Sequence, residues 1–182
     1  MKRLMIILAI ACFAFAPTKL VKTKIGDGIV VSLPTQLQPM TPEDIVQRYP
    51  SVRNPLGAFT NTDRDADFSV NISATQWRAQ DIELASKFFK SGIHNLYDRV
   101  DFLQEGVVQT INKKQFIVYE FESRINGNKL KEGERQPILR YSYVQYFVES
   151  GRTLVFAFNC PKDKKDEWQS TVHAMMKSVK LK

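Results

Sequence analysis

The stretch from Ile138 to Glu149, ILRYSYVQYFVE, constrains this chain more than any other. In a strand, successive side chains point to opposite faces. One face carries Leu139, Tyr141, Tyr143 and Phe147. The other carries Val144, Tyr146 and Val148 beside Arg140 and Ser142. Both faces are substantially apolar, so both must be covered. A second strand-like run, Thr153 to Asn159, follows after the short "SGR" turn, and a connection that short joins antiparallel neighbours.

Similar signals recur along the chain. Asp27-Gly28 sits between two β-branched runs in TKIGDGIVVSLP, a hairpin signal because glycine tolerates positive φ. Residues 66–74, ADFSVNISA, alternate, with Phe68, Val70, Ile72 and Ala74 against Asp67, Ser69, Asn71 and Ser73, and Gly57 to Thr62 pairs with them through the "DRDA" turn. Val100–Ile111 and Gln115–Ile125 form a further hairpin around "NKK".

Helices are expected in three places. Thr41-Pro42-Glu43-Asp44 reads as a start: a capping threonine, proline at the first position, and acids at the positive end of the dipole. Pro50 keeps that helix short. Ile82, Ala85, Phe89, Ile93 and Leu96 make one stripe at three- and four-residue steps. Trp168, Val172, Met175 and Val179 make another over Lys164–Val179, with Asp163 as its expected cap and Asp166 and Glu167 in the first turn. Helices in separate places can cover both faces of one sheet. The expected fold class is therefore α+β, a central antiparallel sheet flanked by helices on both faces.

Of the 182 residues, 43% are hydrophobic and 25% charged, an ordinary globular composition. The net charge of +7 favours acidic surfaces, although positive and negative residues are interspersed. The first sixteen residues, MKRLMIILAIACFAFA, stand apart. Lys2 and Arg3 precede an unbroken apolar run from Leu4 to Phe15, and Ala14-Phe15-Ala16 offers small residues where a signal peptidase reads. Residues 1–16 are thus expected to be a secretory signal, and 17–182 a single domain. Pro17 is a poor neighbour for a cut after Ala16, so cuts after Ala14 or Ala11 compete with it. A cut after Ala11 makes Cys12 the mature N-terminus and a candidate for lipidation, although Ala9 stands where such signals usually carry leucine. Loss of Lys2 and Arg3 leaves a net charge of +5. Without Cys12, only Cys160 remains, so the domain is not built on disulfides.

The order of elements, from the "VVSLP" hairpin through "DFSVNIS" and "ASKFF" to "YVQYFVESGRTLVFAFNCPKDKKDEWQSTVHAMMKSVK", resembles a known fold. It is the fold of the photosystem II extrinsic subunit PsbP, the Ran-binding Mog proteins and the secreted DcrB-like bacterial periplasmic proteins. The resemblance spans about residues 25–182, and the DcrB-like branch is nearest because of the signal segment. It implies an antiparallel sheet with helices on both sides, and binding or assembly modules rather than enzymes. It carries over no site residues.

Few side chains suggest chemistry. Cys160 lies before a helix start among Lys162, Lys164 and Lys165, features that lower a thiol pKa, but the available bases are only His94 and His173. Its alternative role is a small apolar side chain ending a buried strand. No CxxC, HxxxH or glycine-rich phosphate motif occurs, so no metal or cofactor is expected. Asp63 to Asp67, DRDAD, lacks the glycine and distal glutamate of a calcium loop. Nucleic acid is not an expected partner, because export removes it and the aromatics lie at strand spacing. Arg124, Lys129, Lys131 and Arg135 in the charged segment NGNKLKEGERQ and its approach form a candidate surface for an acidic protein or lipid partner. Met175, Met176 and Phe88 are candidate lining for a small apolar ligand. The leading expectation is an exported, non-enzymatic binding module for a protein or cell-envelope partner, with membrane contact only through a lipid on Cys12. The alternatives are a thiol enzyme using Cys160 and an apolar ligand carrier.

Overall fold

The computed structural model describes residues 19–50, 53–126, 136–149 and 151–182. The chain opens with a hairpin of β1 (Leu20–Ile25) and β2 (Ile29–Pro34), turned at Gly26 and Gly28, whose φ values of 55° and 79° explain the glycines. Then come β3 (Gln38–Pro39), α1 (Pro42–Arg48), β4 (Gly57–Thr60) and β5 (Asp67–Ile72). Helix α2 (Ile82–Leu96) precedes the long hairpin of β6 (Arg99–Ile111) and β7 (Lys114–Ile125). A second long hairpin, β8 (Ile138–Glu149) and β9 (Arg152–Pro161), leads into α3 (Lys165–Lys177) and a two-residue β10 (Lys180–Leu181).

Seven strands form one antiparallel sheet in the order β3-β4-β5-β9-β8-β7-β6. The β6–β7 hairpin turns at Asn112 and Lys113, both at positive φ, as a two-residue turn of this hand requires. The architecture is the expected α+β one. The N-terminal hairpin, however, does not join the large sheet. It pairs with β10 in a sheet of its own, in the order β1-β2-β10.

The two faces of the large sheet are both covered, as Ile138–Glu149 demands. On one face, Trp168, Val172, Met175 and Met176 of α3 pack with Phe68, Val70, Phe156 and Phe158, and Ile25, Ile29, Val31 and Leu33 of the small sheet extend this core. Helix α3 is tied to the small sheet by the Ser178 hydroxyl, which accepts from the Ser32 N–H at 2.7 Å. On the opposite face, Ala85, Phe89 and Ile93 of α2 pack on Ile117, Tyr119, Phe121, Val144 and Val148. Phe89 stacks flat on Tyr146 with centroids 3.9 Å apart, and burial of such a ring stabilises by about 1.5–3 kcal/mol.

Three local expectations fail for identifiable reasons. Leu96 does not extend the buried stripe and is 69% exposed, because α2 ends there and Tyr97 turns to extended backbone. Asp163 does not cap α3. Residues Lys162–Lys164 form a 3-10 turn, so the helix begins one residue later, at Lys165, with no side-chain cap. The wet face of β5 is only partly wet, since Ser69 is buried. Thr41 does cap α1, accepting from the Asp44 N–H at 3.2 Å.

Candidate functional site

Helix α2 covers only part of its face of the large sheet. Strand parity places Asp67, Ser69 and Asn71 of β5, Asn159 of β9, and Arg140 and Ser142 of β8 on that same face, because their neighbours Phe68, Val70, Phe158 and Tyr141 enter the α3-side core. Of these, Asp67, Asn71, Asn159 and Arg140 line a groove between the end of α1 and the end of α2, with Ser69 and Ser142 buried beneath it. One half, about 470 Å³, is lined by Arg48, Tyr49, Arg64, Asp67, Tyr97, Ile125, Arg140 and Asn159. The other half, about 670 Å³, continues from Tyr49 past Pro50, Arg53 and Asn54 to Asn71, Ile72 and Ala74.

The charges in the groove fall into two kinds. Arg48 is fixed: one guanidinium nitrogen donates to both oxygens of Asp67 at 2.5 and 2.7 Å, and the other to the Arg64 carbonyl at 2.7 Å. Arg64 in turn pairs with Asp44. Two cations are thus neutralised within the wall. Arg140 differs, because among the described residues no carboxylate pairs with it. The tyrosines at the groove are protonated donors at neutral pH. Burial pushes the hydroxyls of Tyr49 and Tyr97 up, against their hydrogen bonds with Ser69 and with Ser142. The Asn159 side-chain oxygen accepts from the Ser142 hydroxyl at 2.8 Å, which fixes that amide at the groove floor.

A second polar cluster lies on the other face and is closed. Glu120 on β7 is 1% exposed. Its carboxylate accepts from Gln169 at 2.6 Å, Gln104 at 2.8 Å and Tyr141 at 2.9 Å, and His173 Nε2 lies 3.0 Å away. Burial pushes this carboxyl up, but the bonds from Gln169 and Tyr141 and the charge of His173 outweigh it, so it sits below its ordinary range. A buried carboxylate so fully supplied with donors works as a clamp between β6, β7, β8 and α3.

The sequence-expected sites distribute differently. Cys160 is fully buried on the α3 side of β9, and burial raises its thiol to about 12. The lysines expected to lower that value are committed elsewhere: Lys162 and Lys165 to Glu122, and Lys164 to Asp63 and Asp65. His173 meets Glu120 instead of the thiol, and His94 stands edge-on to Phe102 on the opposite face of the sheet. The DRDAD carboxylates are spent on Arg48 and Lys164, and no cluster among the described residues could hold a metal ion. Arg124 is exposed at the end of β7, its Nε donating to Asn126 at 2.8 Å. Lys129, Lys131, Arg135 and Cys12 lie outside the described residues. Met175 and Met176 fill the core under α3, whereas Phe88 is exposed on α2 against Trp77. These three are on opposite sides of the sheet and cannot line one pocket.

The groove was the part that sequence reasoning missed. Arg140 and Ser142 stood out as polar residues on one face of an otherwise apolar strand, and that was its only local trace.

Similarity to known structures adds the fold's lineage. No family model and no curated protein sequence matches the chain. The solution structure of CyanoP, the cyanobacterial PsbP of Synechocystis, is similar with a TM-score of 0.58 and 13% identity, covering 94% of this chain and 98% of that one. The fold is PsbP-like. LpqN of Mycobacterium tuberculosis, described as involved in cell envelope biogenesis, aligns with a TM-score of 0.54 and 11% identity over 91% of this chain and 92% of its own. A Pseudomonas aeruginosa protein of unknown function aligns with a TM-score of 0.50 and 8% identity, over 87% and 94%. At such identities the PsbP-like likeness concerns architecture alone. Among the described residues no helix is long and apolar enough to cross a membrane.

Proposed function

We propose that this chain is an exported, non-enzymatic binding module, nearest to the DcrB-like branch of the PsbP-like fold, that holds a protein or other cell-envelope partner in the groove between α1 and α2. The carrying observation is the groove itself. It is an open, polar-floored stretch of sheet beside a core that is otherwise closed on both faces. Ligand sites sit in concave regions where few polar groups converge on a rigid scaffold, and this one stands on three adjacent strands. The leader-like residues 1–16 support export, with Cys12 as a lipid anchor where the cut follows Ala11. The envelope role ascribed to LpqN and the PsbP identity of CyanoP agree with a binding or assembly role outside the cytoplasm.

The test is site-specific photocrosslinking in the envelope fraction of the host. A photoreactive residue at Ala74, exposed at the groove's edge, is expected to capture a discrete, reproducible partner. The same residue at Lys22, exposed on β1 of the separate small sheet, should not capture it. Equal labelling from both positions, or none from either, overturns the reading.

A further inference from the structure

Resting on that reading, we infer that the groove recognises a carboxylate carried on an acidic polypeptide segment, and that Arg140 is the residue that binds it. The inference starts from charge. Arg48 and Arg64 are neutralised by Asp67 and Asp44 within the groove wall, whereas Arg140 keeps its positive charge without a carboxylate partner among the described residues. A half-buried guanidinium has lost part of its hydration, and a ligand anion restores what the protein does not supply.

The kind of anion follows from count and shape. The Arg140 guanidinium, without a carboxylate partner among the described residues, offers one positive charge in a planar fork of donors, which matches the two oxygens of a carboxylate. A phosphate monoester carries up to two negative charges, and the two arginines that line the same half of the groove as Arg140, Arg48 and Arg64, are already held by Asp67 and Asp44. Those two carboxylates would oppose a second negative charge. Protonated Tyr49 and Tyr97 and the Asn159 amide surround the site without adding charge. Beyond Tyr49 the groove continues past Pro50, Arg53, Asn54, Asn71, Ile72 and Ala74, a lining without carboxylates whose one charged side chain is the Arg53 cation, which suits an extended chain free of basic residues on either side of the acidic one.

The experiment is an NMR titration of the whole protein with two blocked peptides that differ in one residue, Ac-Gly-Ala-Glu-Ala-Gly-NH2 and its Gln counterpart. Inorganic phosphate and phosphatidylglycerol vesicles are the parallel probes. The Glu peptide is expected to give saturable shifts at the Arg140 Nε–H and the Asn159 side-chain amide, with the Gln peptide at least about tenfold weaker, the scale of a hydrogen-bonded charge. Arg140→Gln, checked by an unchanged amide spectrum elsewhere, should erase the difference between the two peptides. Equal binding of both peptides, an unaltered response in Arg140→Gln, no response at all, or a response to phosphate or vesicles alone overturns the inference. Capture of a partner from Ala74 together with a silent titration would leave the binding role standing and remove only the carboxylate. Failure of both would remove both.

Discussion

The large sheet carries a charged group on each face, and the two are treated in opposite ways. On the α3 side, Glu120 is enclosed and receives hydrogen bonds from side chains of two strands and one helix: Gln104, Tyr141 and Gln169, with His173 beside it. On the α2 side, Arg140 faces an open groove and meets no carboxylate among the described residues. A buried charge is tolerated when its partners are built in, and then it serves the fold. A half-buried charge without such partners contributes little to the fold and is free to serve a ligand. The contrast separates structural polarity from functional polarity within one sheet. Burial alone would have ranked Glu120 first.

Breaking the closed side should have the largest effect. Glu120→Ala leaves Tyr141, Gln169 and Gln104 without their acceptor in a dry site, at a cost of about 3 kcal/mol, measured as a lowered urea midpoint. The same site governs the acid response. Glu120 and Glu122 both titrate below the ordinary carboxylate value of 4.5 in the folded protein, Glu122 through hydrogen bonds from Lys162 and Lys165. Their folded values lie below the unfolded ones, so their stabilisation is complete above the unfolded value and is lost as pH falls through the folded one. Stability should therefore drop on acidification below pH 4.5. Glu120→Gln should flatten that drop while lowering stability at neutral pH. An acid profile identical to the native one would show that the clamp titrates elsewhere.

Cys160 sharpens the same comparison, because it too lies on the closed side. With its thiol raised to about 12 and no exposed surface, iodoacetamide should fail to modify it at neutral pH in the folded protein and modify it readily in urea. Rapid labelling of the native chain would move the thiol into the set of functional groups and revive an enzyme reading.

How far the sequence reaches follows the same division. Strand periods, hairpin turns, the Thr41 cap and the two helical stripes are local patterns, and the two-sided cover of Ile138–Glu149 could be read from its residues alone. Glu120 could not, because in YEFES it looks like one more wet strand position. Its partners Gln169 and His173 lie 49 and 53 residues away and only the folded α3 brings them near. The small sheet was equally hidden, since β10 has two residues and no period. Leu96 and Asp163 misled because a stripe and a cap are defined by where the helix ends, and tertiary packing sets those ends. The charged segment around Lys129, Lys131 and Arg135 drew notice by composition. The groove left only the trace of Arg140 and Ser142, because its lining comes from residues of β5, β8 and β9 set side by side only by sheet order.

The smallest expected effect is the most telling. Arg140→Gln removes a charge that the fold does not use, so its stability should stay within about 0.5 kcal/mol of the native protein, as for a surface substitution away from built-in networks. A loss nearer to that of Glu120→Ala would mean that Arg140 is as deeply committed to the fold as Glu120, and the distinction between the faces would collapse. A slight gain would fit best. Removing a half-buried cation that has no carboxylate partner among the described residues relieves a desolvation cost, and a residue kept against that cost is one whose use lies outside the folded chain. Chemical denaturation of the two variants side by side, at one pH and one ionic strength, reads that difference directly.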